Sequence, residues 1–79
     1  MFIVYILQSQ TSLRYYIGHT NNMPDRLVRH NSGRSKFTKN DGPWIIVYQE
    51  QYKIKADAMK REKEIKSYKG GNAFKNLLK

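Results

Sequence analysis

From Phe2 to Leu7 the chain reads F-I-V-Y-I-L without a polar position, and after the polar break Gln8–Ser12 a second run follows at Tyr15–Ile17. Two short runs of β-branched, aromatic and aliphatic residues around such a break predict an antiparallel hairpin. A strand with no polar alternation has no face to give to solvent, so the first run is expected to be central and covered on both sides. His19-Thr20-Asn21-Asn22 is a polar turn. Met23-Pro24-Asp25 then opens a helix, since Pro suits the first helical position and Asp25 complements the helix dipole. It is expected to run to about His30 and to end at Asn31-Ser32-Gly33. Leu27 is its clearest inward residue, with Met23 or Val28 beside it, while Arg26 and His30, four apart, share one face.

Ser32–Asp41 reads as a polar, basic loop. Its single aromatic, Phe37, is expected to anchor it in the core while Arg34, Lys36 and Lys39, with the hydroxyls of Ser35 and Thr38, are free to grip a phosphate backbone. Gly42-Pro43 precedes Trp44–Tyr48, a strong strand signal that continues weakly to Tyr52. Trp44 is expected to pack at the end of the sheet. Lys55–Tyr68 reads as a second helix, with Ala58, Met59 and Ile65 able to bury and Glu62 on or beside the inward face. Ala73–Leu78 follows as a short terminal helix with Phe74, Leu77 and Leu78 as its stripe. The expected fold is α+β: a small three-stranded antiparallel sheet flanked by helices, with residues 1–79 as one domain.

Composition narrows the function. The net charge is +9, from 15 Lys and Arg against 6 Asp and Glu. The segment 14–39 carries +5 and 53–79 carries +6, while 40–52 carries −2. Charge of this size on so short a chain predicts a polyanionic partner, nucleic acid before anionic lipid. The absence of cysteine removes a disulfide framework and Cys-based zinc sites. No apolar run approaches a membrane span of about 20 residues, and no basic segment precedes the first apolar run as in a signal peptide, so a cytoplasmic protein is expected.

Few side chains are candidates for chemistry. Tyr5 and Tyr16 stand on adjacent strands, Arg26 and His30 lie one turn apart, and Glu62 is a carboxylate on an otherwise apolar face. These fit phosphodiester hydrolysis with one divalent cation: a carboxylate holds a hard cation, Arg and the cation stabilise phosphate charge, and Tyr or His handles the proton of the attacking water. Each also has a purely structural role open to it. Tyrosines pack small sheets, Arg26 and His30 can dress a solvated face, and Glu62 can pair with Lys66 at i,i+4.

Val4-Tyr5-Ile6 and Tyr16-Ile17-Gly18 resemble the paired tripeptides that name the GIY-YIG nucleases, with Val4 in place of the first Gly. The resemblance extends through D-R-L-V-R-H, H-N-S-G-R-S-K-F-T-K, G-P-W and A-M-K-R-E-K-E-I-K, and is similar to the small stand-alone bacterial members. It implies that Tyr5 is the general base or water-positioning group, although an ordinary phenol pKa of about 10 requires help to ionise. It further implies that Tyr16 lines the same pocket, Arg26 binds the scissile phosphate, His30 orients or shares the proton, and Glu62 is the ligand of Mg²⁺ or Mn²⁺. Glu64 is the neighbouring alternative to Glu62. Gly18, where a side chain would intrude, and His19, at a position that is Lys in the excision-repair branch, are implied substrate contacts. Asn72 is a candidate for the family's late Asn.

The expected function is therefore a metal-dependent DNA endonuclease, structure-selective or weakly specific and related to repair. A nucleic-acid-binding module with little catalysis is the alternative, and a protein-interaction domain feeding a repair complex a third. DNA is the expected partner, no membrane is, and monomer and weak dimer both stay open.

Overall fold

The computed structural model describes residues 1–33, 35 and 37–79, so the expectations for Arg34 and Lys36 lie outside the described residues. The elements are β1 (Phe2–Ser9), β2 (Tyr15–Thr20), α1 (Met23–Asn31), β3 (Trp44–Tyr52), α2 (Lys55–Ser67) and α3 (Asn72–Leu77). The architecture is α+β, with one antiparallel sheet in the order β2-β1-β3. The strand without polar alternation is the central one. Val4, Tyr5, Ile6 and Leu7 are all fully buried.

Successive side chains on β1 point to opposite faces, and the core divides accordingly. Val4 and Ile6 meet Ala58 and Ile65 of α2 and Phe74 of α3. Tyr5 and Leu7 meet Met23 and Leu27 of α1 and Trp44 at the start of β3. α1 begins as its sequence indicates: the Asn22 side chain accepts from the Asp25 N–H at 3.2 Å, with Pro24 in the first turn. No helix among the described residues is long and apolar enough to cross a membrane.

One of the two alternatives in α1 holds, and two expectations about burial are corrected. In α1 it is Met23 that buries beside Leu27, while Val28 is exposed. In α2, Met59 is exposed; the face turned to the sheet runs through Ala58, Arg61, Ile65 and Tyr68, which puts Met59 about 140° off its centre. Phe37 is 70% exposed rather than anchoring its loop. The anchor is Trp44, whose indole Nε1–H donates to the Thr38 carbonyl at 3.0 Å. Asn31 completes the staple from the end of α1, accepting from the Trp44 N–H at 2.6 Å and donating to its carbonyl at 3.2 Å.

Candidate active site

Tyr5 projects from the centre of β1 and Tyr16 from β2, onto the face that α1 covers. Their ring centroids lie 6.3 Å apart. His30, on the last turn of α1, closes the group, 6.0 Å from Tyr5 and 4.7 Å from Tyr16. The Tyr5 hydroxyl is 3.0 Å from His30 Nε2, and His30 Nδ1 is 2.8 Å from the Thr38 hydroxyl. Both side chains are essentially out of solvent. His30 thus does not dress a solvated helix face; its ring is held at both nitrogens. Gly18 pairs opposite Tyr5 in the β1–β2 register, and the room above it is taken by the phenol of Tyr5.

Burial pushes the Tyr5 phenol up to about 12, helped by Tyr16 and Glu62 and opposed by the Arg26 guanidinium. His30 moves down from its ordinary value, chiefly through burial and then through the charges of Arg26 and Arg29. Phenol and imidazole are therefore both neutral at pH 7. Arg26 lies one turn before His30, as their spacing requires, and its Nε is buried with no hydrogen-bond partner among the described residues. A buried donor left unpaired is costly, so this nitrogen is a natural seat for an acceptor from outside the protein. Arg29 turns elsewhere, towards Asp25 at 3.7 Å.

Glu62 reaches the group from α2. His19 Nδ1 binds its Oε1, and Lys66 Nζ lies 2.6 Å from its Oε2. Burial raises this carboxyl, but the donors Lys66 and His19 more than offset that and hold it below its usual range, so it is ionised at neutral pH. Glu64, by contrast, joins Arg61 and Tyr68 in a separate network. Among the described residues no cluster of three His, Cys, Asp or Glu could hold a metal ion. One ionised carboxylate still fits Mg²⁺ or Mn²⁺, hard cations that keep several waters and take the rest of their ligands from phosphate oxygens. A small polar cleft of about 160 Å³ is lined by His19, the partner of Glu62, and by Arg26 and Lys55, among others.

Lys39 is exposed on its loop, and Asn72 is exposed at the start of α3, two residues before the buried Phe74. Two participants escaped the sequence reading. Thr38 was expected to offer its hydroxyl to a phosphate; it is buried and turned onto His30. Lys55 joins the cleft from the first turn of α2, where nothing local distinguishes it from the other lysines.

A family model described as the GIY-YIG catalytic domain matches residues 1–75. The chain is 41% identical over 66 residues to a UPF0213 protein of Staphylococcus haemolyticus, covering 82% of this chain and 79% of that one. It is 45% identical over 67 residues to a UPF0213 protein of Staphylococcus aureus, again covering 82% and 79%. Among solved structures it is similar to the solution NMR structure of the UPF0213 protein BH0048 from Bacillus halodurans, with a TM-score of 0.51 and 31% identity, covering 92% of this chain and 90% of that one.

Proposed function

The chain belongs to the GIY-YIG family, and on that footing we propose that it is a metal-dependent endonuclease that hydrolyses phosphodiester bonds in DNA. The observation that carries this reading is the hydrogen bond of a fully buried Tyr5 hydroxyl to a neutral, buried His30, beside an Arg26 Nε with no partner among the described residues. A structural tyrosine needs only one satisfied hydroxyl; it does not need a buried, unpaired Nε–H next to it.

In this reading Arg26 donates from Nε to a non-bridging oxygen of the scissile phosphate and holds it against Tyr5. With Nδ1–H donating to Thr38, His30 presents a lone pair at Nε2 to the Tyr5 hydroxyl. The Tyr5 oxygen then takes a proton from the attacking water as its own proton passes to His30. A phenol held at about 12 is a poor acid on its own, so this coupled transfer is the route by which it acts as a base near pH 7. Tyr16 packs against the other side of the His30 ring and keeps it in place. Glu62 holds the cation, which when bound stabilises negative charge on the phosphate.

Labelled single-stranded, duplex, flap and branched DNA should be cut with Mg²⁺ or Mn²⁺ and not with EDTA. Tyr5→Phe should lower the rate by about 10²–10⁴-fold and Glu62→Gln by about 10²–10³-fold, each with DNA affinity changed only a few-fold. A second reading, a binding module with little catalysis, is favoured by one feature: His19 and Lys66 already occupy both oxygens of Glu62. Binding without cation-dependent cutting on every substrate would select it.

A further inference from the structure

Along the outer side of β2 runs a groove of about 450 Å³. Tyr15, Tyr16, Phe37 and Trp44 line it, with Arg14 and Lys66 at its rims. Three features set it apart from an ordinary surface crease. Two of its aromatic rings reach solvent: Phe37 is 70% exposed, and Tyr15, which meets Phe74 edge-on, is 45% exposed, while Trp44 is buried. It shares Tyr16 with the Tyr5–His30 group, so anything seated in it lies next to the proposed scissile phosphate. Its floor is an edge strand, because the order β2-β1-β3 leaves the outer N–H and C=O groups of β2 without a strand partner. Apolar rings, backbone donors and acceptors, and cationic rims together match a nucleotide: a flat π-face, a hydrogen-bonding edge and a phosphate.

We infer that this groove is a base-binding subsite, in which one unstacked nucleobase of the cleaved strand lies against Phe37 and Tyr15 while its phosphates meet Arg14 and Lys66. The inference rests on the nuclease reading for its biological sense, and it adds a substrate requirement. A paired base cannot enter without leaving its stack, which costs most in intact duplex and least where the base is already unpaired, as in a single strand or a flap. The protein therefore prefers DNA with an unpaired nucleotide beside the cut, and it does so through Phe37, whose exposure has no packing explanation.

The test is binding of fluorescently labelled oligonucleotides by the Glu62→Gln protein in EDTA, with cleavage by the parent measured in parallel. Single strands should bind better than duplex of equal length. Phe37→Ala should weaken single-strand binding by about 5–20-fold and duplex binding by less than about twofold, with Phe37→Trp restoring it. An oligonucleotide with one abasic position should lose affinity similarly for the parent protein, a comparison that does not depend on how well any variant folds, and should lose none for Phe37→Ala. Equal losses on single strand and duplex, or no loss with either the variant or the abasic strand, would overturn the subsite. Base-dependent binding with no cutting anywhere would instead retain the subsite and remove the nuclease reading. Efficient cutting that ignores Phe37 would do the reverse.

Discussion

A methyl group on Gly18 would lie 2.7 Å from the Tyr5 hydroxyl oxygen and 3.1 Å from Cε1 of Tyr16. The Tyr5 ring, the nearer of the two, is fully buried and has no free space to retreat into. Gly18→Ala should therefore shift the phenol off His30, costing about 1–3 kcal/mol of stability as overpacking and about 10²-fold in cleavage rate as misplacement. Denaturant unfolding and a cleavage assay separate the two. His30 makes a prediction about acid. Its imidazole is kept neutral by burial, with the charges of Arg26 and Arg29 adding to the effect and Tyr5, Tyr16 and Thr38 as its other contacts. In the unfolded chain it titrates at its ordinary value, so as the pH falls the unfolded state takes up the proton first. Stability should drop below about pH 6.5 and level off below the folded-state value. Urea midpoints between about pH 7 and pH 5 should fall for the parent and fall less for His30→Gln; equal falls would assign the effect to other groups.

At the scale of elements, α2 is held to the sheet by an ion pair rather than by apolar contact alone. Arg61 Nε and Nη2 donate to the two oxygens of Glu50 on β3 at 3.0 and 3.1 Å, and Nη1 reaches the Tyr68 hydroxyl at 3.3 Å. Tyr48 and Tyr52 donate to the same carboxylate. Burial raises the Glu50 carboxyl, but the donors Arg61, Tyr48 and Tyr52 together bring it below its ordinary value. Glu50→Ala would strand a half-buried guanidinium, and should cost about 1–3 kcal/mol in chemical unfolding, between the values for exposed and buried pairs. Because Arg61 adjoins Glu62, the same variant should cut DNA more weakly than its stability loss alone explains. The network also shows where sequence reading stopped. The hairpin, α1 and β3 were legible because apolar runs, Pro24 and Gly42-Pro43 act locally. The inward face of α2 was only partly so: Ala58 and Ile65 were visible, but Met59 was named and Arg61 was not, because the Glu50 carboxylate that draws Arg61 inward lies on β3. Likewise Tyr5, Tyr16, Arg26, His30 and Glu62 were legible as chemical types, whereas the Thr38–His30 contact depends on a loop fold that Trp44 imposes from beyond it.

For the whole molecule the controlling quantity is charge. Segment 14–39 carries +5 and segment 53–79 carries +6, and each contributes one cation to the lining of the cleft, Arg26 and Lys55. Affinity built on so many cations is largely release of counterions from DNA, and about five phosphate contacts would give a fall of about 10²–10³-fold from 50 to 200 mM salt. Titrations by fluorescence anisotropy should follow that slope, and a flat response would mean that charge is not what holds the complex together. The contact of His19 with Glu62 spans 43 positions in the chain. Tyr5, Tyr16, Arg26 and His30 are all translated before the turn into β3, yet the one carboxylate of the group arrives only with α2. A chain still emerging from the ribosome, or a fragment clipped within the 35–41 segment, thus carries the tyrosines and the arginine without their acidic partner. A protein proposed to cut DNA would in this way lack its cation-holding carboxylate until α2 has been made, and could not harm the genome that encodes it before then.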